Sequence, residues 1–129
     1  MTQVNVLHKE AMDLAELSQV AKLRGEIEQS NHLLRQAFAQ ESSAAALIAN
    51  HWESEPTRSV LHRSAASLAI ECGEFEIANR LIATALSGNP PAEIAEELQD
   101  LFIQINLRQY LQRRGVALDE EQLSSLVRQ

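Results

Sequence analysis

The chain contains few of the residues that interrupt helices and few of those that favour strands. Four glycines and three prolines are spread over 129 residues, and aromatic residues make up only 4%. Valine, isoleucine and threonine are sparse beside leucine, alanine, glutamate and glutamine, which are strong helix formers. The composition therefore predicts an all-α fold.

The scarcity of cysteine and of basic residues limits the compartment and the partners. Cys72 is the only cysteine, so an intramolecular disulfide is excluded and a reduced cytoplasm suits the chain. Charged residues recur through the N-terminal region, and no run of about 18 apolar residues occurs, so we expect neither a signal peptide nor a membrane helix. The net charge of −7 opposes phosphate binding. We expect a cytoplasmic protein with no nucleic-acid and no membrane partner.

Apolar residues recur every three or four positions along most of the chain, which is the spacing of helices with one buried face. Glycines and prolines interrupt this spacing at a few places. The pattern predicts five long helices, over about 5–24, 26–53, 57–72, 75–87 and 91–113.

A short sixth helix is predicted near the C-terminus, because Asp119 and Gln122 have the spacing of a capping box. Leu123, Leu126 and Val127 would be its packing residues. With 45% apolar residues the chain is long enough for one domain but not for two. We therefore expect a helical domain over 1–113 and a C-terminal tail over 114–129.

Two segments of the chain match each other, which indicates an internal repeat. Gly25-Glu26-Ile27-Glu28 corresponds to Gly73-Glu74-Phe75-Glu76, and Ser30, Leu34 and Ala37 then correspond to Ala78, Ile82 and Ala85. The two glycines are 48 residues apart. Both segments predict the same turn entering the same kind of helix.

The second of these segments resembles the second half of a tetratricopeptide repeat. The residues that carry the resemblance are Gly73 and Phe75 in the turn, Ala78 and Ala85 at the helix contact, and Pro90 before the next helix. The family period is about 34 residues, so the first repeat here would be stretched. The resemblance implies a right-handed stack of antiparallel helical hairpins, with two degenerate repeats and a capping helix. An unrelated bundle of five or six helices is the alternative.

The resemblance also implies a binding surface. In the family, the second, fifth, ninth and twelfth positions of the first helix of each repeat line a concave groove. These positions fall on Met12, Ala15, Gln19, Lys22, Val60, Arg63, Ser67 and Ile70. The candidate partner-binding residues are Met12, Gln19, Lys22, Arg63, Ser67 and Ile70. Members that clamp a carboxylate have lysine and asparagine where this chain has Ala15 and Gln19, so such a clamp is not expected. Lys22 and Arg63 could instead serve only to solubilise the surface.

No motif for catalysis, metal binding or cofactor binding is present. The four histidines are scattered without ligand spacing. Cys72 lies at a predicted helix C-terminus, where the helix dipole disfavours a thiolate. We therefore expect no cofactor and no catalytic activity, although an enzyme of unrecognised type remains an alternative.

The hypothesis at this stage is a non-catalytic adaptor that binds a peptide or a protein. The principal rival is a helical regulatory or accessory domain of transcription or toxin-antitoxin type, which would contact its partner through helix 91–113 and the tail. Two hairpins leave helix one and the outer face of helix two uncovered, with Leu33 and Leu47 off the main apolar stripe. A homodimer through that surface is expected. A monomer is the alternative, if helix 57–72 covers the long helix.

Overall fold

The computed structural model describes residues 2–116, 119, 121, 122 and 125, and within them every regular element is an α-helix. The five long helices are α1 (Thr2–Leu23), α2 (Ile27–Ile48), α3 (Thr57–Glu71), α4 (Phe75–Leu86) and α5 (Ala92–Arg113). The all-α prediction is confirmed. Asp119 and Gln122 exchange two hydrogen bonds, of 3.1 and 2.7 Å, as the capping-box spacing predicts. Leu123, Leu126 and Val127 lie outside the described residues.

The helices pack as two consecutive hairpins and one covering helix. α1 pairs with α2, α3 pairs with α4, α2 packs against α3, and α5 lies against both α3 and α4. One core cluster joins the end of α2 to α3 and to the start of α1. The other joins α3, α4 and α5, and it contains the following buried residues: Ala66, Ala69, Ala78, Ile82, Ala85, Leu98 and Ile105.

The same glycine turn closes the first helix of each hairpin. Gly25 and Gly73 have φ angles of 80° and 78°, a region that only glycine enters without strain. The amide of Glu26 donates to the Ala21 carbonyl at 2.9 Å, and the amide of Glu74 donates to the Ala69 carbonyl at 2.8 Å. Both turns are therefore Schellman caps. The two matched sequence segments form the same turn.

Small residues let the helices of the first hairpin approach closely. The hydroxyl of Ser18 donates to the Ser30 carbonyl at 2.7 Å, and the hydroxyl of Ser30 donates to the Ser18 carbonyl at 2.8 Å. Ala11 and Ala37 are fully buried in the same contact region of α1 and α2. Each serine hydroxyl is hydrogen-bonded across the contact, so the polar Ser30 can occupy the buried position that Ala78 holds in the second hairpin.

One predicted boundary is wrong: α2 ends at Ile48, whereas the apolar pattern extends it to about residue 53. The pattern included Trp52 because that residue stays in helical phase with Ile48. In the structure Trp52 lies in the connection to α3, with its ring 4.2 Å from the guanidinium carbon of Arg58. Stacking on a buried cation therefore takes the indole out of the helical register.

Arg58 is fully buried and joins three elements. Its Nε donates to the Ala49 carbonyl at the end of α2, at 2.8 Å. Its Nη2 donates to the Thr84 carbonyl at 2.9 Å, and its Nη1 to the Ala85 carbonyl at 3.5 Å, in the last turn of α4. Helix C-termini carry partial negative charge and unpaired carbonyls, so these two helix ends stabilise the buried cation.

Replacement of Arg58 by lysine should destabilise the fold strongly. An ammonium group cannot reach both helix ends and stack on Trp52 at once, so carbonyls would lose their donors in a buried place. We expect Arg58→Lys to lower the free energy of unfolding by about 3 kcal/mol, measured by urea titration. Arg80→Lys is the control, because Arg80 is 73% exposed and should change stability by less than about 0.5 kcal/mol. Similar losses in the two variants would contradict the role of Arg58.

A second prediction concerns the contact of α4 with its neighbours. Ala85 is fully buried, whereas Ala83 is exposed on the same helix. We expect Ala85→Leu to overpack the core and cost on the order of 1–3 kcal/mol. Ala83→Leu should leave the melting temperature nearly unchanged. Equal melting temperatures for the two variants would remove the argument for close packing at Ala85.

Candidate functional site

A cleft lies at the end of the molecule that carries the Gly25 turn, lined by α1, by the first half of α2 and by Glu71 at the end of α3. Its volume is about 370 Å³, and its floor is formed by the first half of α2. It is lined by Ala15, Ser18, Gln19, Lys22, Ile27, Ser30, Asn31, Leu34 and Glu71. Asn31, Leu34 and Glu71 also line a neighbouring depression of about 220 Å³, so the two form one continuous groove.

The groove offers hydrogen-bonding groups of both kinds and charges of both signs. Gln19 and Asn31 each carry an amide that both donates and accepts. Lys22 at the end of α1 and Glu71 at the end of α3 supply one cation and one anion to its walls. Ile27 adds an apolar surface and is 53% exposed. Such a mixture suits a ligand with amide groups and apolar side chains.

The hydroxyls in the cleft are occupied. Ser18 and Ser30 lie 3.0 Å apart and also bond each other's carbonyls, so their hydrogen-bonding capacity is largely used within the hairpin. The two serines thereby fix the spacing of α1 and α2 at the cleft. The adjustable polar contacts must come from the amides and the charged residues around them.

Arg35 shapes the extension of the groove. Its Nη2 donates to the Cys72 carbonyl at 3.1 Å, and its Nη1 lies 3.4 Å from a carboxylate oxygen of Glu74. The guanidinium therefore ties α2 to the turn between α3 and α4. It also satisfies a carbonyl at the C-terminus of α3.

A second depression, of about 250 Å³, lies at the opposite end of the seam between α1 and α3. It is lined by Val4, Asn5, His8, Pro56, Thr57, Val60 and Leu61. Its walls are more apolar than those of the larger cleft. The only titratable side chain on them is His8, among the described residues.

His8 pairs with a buried carboxylate from the middle of α2. Its Nδ1 lies 2.9 and 3.0 Å from the two oxygens of Glu41, which has no exposed surface. Burial raises the pKa of the Glu41 carboxyl above its ordinary value, and hydrogen bonds from His8 and Ser64 offset only part of this rise. The group links α1, α2 and α3. Within the described chain, no serine or cysteine is hydrogen-bonded to the Nε2 of His8.

The structure separates the six candidate residues. Gln19 and Lys22 line the cleft, together with Ala15 at the neighbouring family position. Arg63 forms an ion pair with Glu97 and so connects α3 to α5. Met12 is partly exposed, and it lines none of the depressions described above. Ser67 and Ile70 are half-buried, and Ile70 packs partly against the core.

Sequence reasoning missed Asn31 and Glu71, the polar residues that α2 and α3 add to the cleft. The family positions point only to the first helix of each repeat, whereas here the floor comes from α2. Asn31 follows Ser30 directly, and a serine at a position where the matched segment has Ala78 was the available signal of a polar cleft floor. Glu41 gave no signal, because a glutamate in a helix is ordinarily solvated.

Burial shifts the pKa of two further titratable groups, Cys72 and His62. Burial raises the pKa of the Cys72 thiol, so the thiol stays protonated and is a poor nucleophile. Burial lowers the pKa of His62, whose Nδ1 donates to the Arg58 carbonyl at 2.7 Å. The described residues contain no cluster of three or more histidine, cysteine, aspartate or glutamate side chains that could hold a metal ion. None of the described helices has the length and apolar character needed to cross a membrane.

Comparison with protein-family models, with curated proteins and with solved structures gave no match. The resemblance to tetratricopeptide repeats therefore stays a prediction from the quoted residues.

The buried Glu41 predicts a pH-dependent stability. The folded state keeps the Glu41 proton in a pH range where the unfolded chain has released it, so stability falls as pH rises from about 4.5. Glutamine cannot titrate. We expect the free energy of unfolding of Glu41→Gln to increase relative to that of the wild type as pH rises through this range, by at most about 1.4 kcal/mol per pH unit.

The measurement is urea unfolding at a series of pH values between about 4 and 8, around the ordinary titration range of glutamate. Glu10→Gln is the control, because Glu10 is exposed on α1. Its stability curve should run parallel to that of the wild type. A Glu41→Gln curve that is also parallel would contradict the raised pKa.

Proposed function

We propose that this protein is a non-catalytic interaction module that binds an extended peptide segment of a partner protein in the cleft lined by α1, α2 and α3. The observation that carries the proposal is the cleft itself, whose volume of about 370 Å³ lies in the range of ligand sites. Its lining combines two amides, one cation, one anion and apolar side chains.

The chemistry of the lining favours a peptide over a small charged metabolite. Gln19 and Asn31 can each bond a peptide N–H and a peptide C=O, which repeat along any extended chain. Lys22 and Glu71 place opposite charges on the walls, so no net charge is selected. Ala15, Ile27 and Leu34 supply apolar surface for the side chains of the peptide.

We further propose that the two hairpins form a tetratricopeptide-like stack. The support is the pair of identical Schellman turns at Gly25 and Gly73 and the order in which the helices pair. In this arrangement α1 and α3 are the first helices of their repeats, and both contribute residues to the binding surface. The same arrangement makes the protein an adaptor, most useful in the cytoplasm where Cys72 stays reduced.

Filling the cleft should abolish binding. The test begins with selection of linear peptides from an unbiased displayed library on the wild-type protein, followed by measurement of Kd by fluorescence anisotropy. Ala15→Trp places an indole in the cleft and should weaken the selected peptides at least tenfold, which is about 1.4 kcal/mol. Lys22→Glu should change the charge preference of the selected peptides.

Ala46→Trp is the matched control, because Ala46 is exposed on α2 and lines none of the depressions described here. Its affinity for the selected peptides should equal that of the wild type. Circular dichroism verifies that both tryptophan variants fold. Selected peptides that bind Ala15→Trp as tightly as the wild type would show that the cleft is not the site.

A further inference from the structure

The outward side of α5 carries an ordered stripe of residues that the proposed peptide site does not use, all of them exposed except the half-buried Leu107. The inward side of the helix packs Leu98 and Ile105 into the core. On the outward side, residues three or four positions apart form what we call the α5 stripe: Glu96, Asp100, Ile103, Leu107, Tyr110 and Arg114. Ile103 is 50% exposed and Tyr110 is 46% exposed.

The spacing and the charge order of the α5 stripe are those of a self-complementary surface. Alternation of three- and four-residue steps is the pattern by which one helix packs along another. Along the stripe, acidic residues come first, apolar and aromatic residues follow, and Arg114 comes last. A second copy of the same helix, turned by a two-fold rotation, presents this order in reverse.

We propose that the α5 stripe is a homodimer interface in which the α5 helices of two copies of this chain pack antiparallel. In the register centred between Ile103 and Leu107, Ile103 of each copy faces Leu107 of the other copy. The same register places Asp100 opposite Tyr110, whose hydroxyl donates to the carboxylate, and places Glu96 opposite Arg114. Each pair occurs twice, as an isologous interface requires.

The charges select this orientation. A parallel pairing would set Glu96 against Glu96 and Arg114 against Arg114, which is repulsive at both ends. The guanidinium of Arg114 lies 5.2 Å from the ring centre of its own Tyr110, so it is held at the end of the stripe. Glu97, the acidic residue next to Glu96, pairs with Arg63 on the α3 side and is not in the stripe.

The surface expected from the sequence, the outer side of α1 and α2 with Leu33 and Leu47, lacks such order. Leu33 is half-buried there, and Leu47 is 43% exposed. Lys9 and Asp13 of α1 already pair with each other at 3.2 Å. The proposal therefore moves the dimer contact from α1 and α2 to α5.

A contact through one helix per subunit is small. A helix of 22 residues is about 33 Å long, and such a pairing buries less than the roughly 1,600 Å² of a standard interface. The expected dissociation constant is therefore micromolar. Sedimentation of the full chain from about 1 to 200 μM should cover the transition.

Charge reversal tests the register. Glu96→Arg and Arg114→Glu each set like charges against each other at both ends of the dimer, and each should raise the dissociation constant at least tenfold. The double variant Glu96→Arg/Arg114→Glu recreates both pairs in reversed order and should restore dimerisation. Ile103→Asp should abolish the dimer. Leu17→Asp is the control, because Leu17 is 54% exposed on α1 and should leave the dissociation constant unchanged.

Three outcomes would overturn the proposal. A wild-type chain that sediments as a single species of 14.4 kDa at all concentrations would show that no second copy covers the stripe. A dimer that persists in Ile103→Asp but dissociates in Leu47→Glu would place the contact on α2. Failure of the double variant to restore a dimer that both single variants weaken would reject the antiparallel register.

Discussion

The arrangement of the two hairpins depends on the burial of a single guanidinium group. Arg58 lies in the first turn of α3, and its donors satisfy carbonyls at the end of α2 and at the end of α4. A buried cation is costly unless it is paired, and here the helix termini and the ring of Trp52 provide the compensation. The buried guanidinium also requires glycine at position 88, because a Cβ atom on Gly88 would lie 2.4 Å from Nη1 of Arg58.

Near this anchor, buried apolar residues also join α1 to α3. Near the start of α3, Leu61 and Ala65 pack with Val4 of α1, and the His8–Glu41 pair adds a buried polar link from α1 to α2. Toward the Gly25 turn, no comparable cluster of described residues joins α1 to α3, and the cleft lies there. The position of the proposed peptide site thus follows from where the core ends.

The cleft and the α5 stripe use different parts of the molecule, so peptide binding and self-association are compatible. An antiparallel α5 dimer would carry two clefts in one particle. A partner with two binding segments would then gain from the second, intramolecular binding event without any new contact. In that case acidic residues near the start of α5, such as Glu96, would determine how two copies assemble. The cleft would determine which partner is bound.

The sequence by itself determined the helices and the turns between them, because these depend on local chemistry. Glycine at Gly25 and Gly73 is needed for a positive φ, and three- or four-residue apolar spacing identifies a helix with a buried face. The end of α2 and the polar members of the cleft were decided only by tertiary structure. Trp52 leaves its helical phase to stack on Arg58, whose buried position depends on the carbonyls of Thr84 and Ala85, 26 and 27 residues further along the chain. Asn31 and Glu71 meet only when α2 and α3 pack. Partners far apart in the chain leave no periodic trace in the sequence.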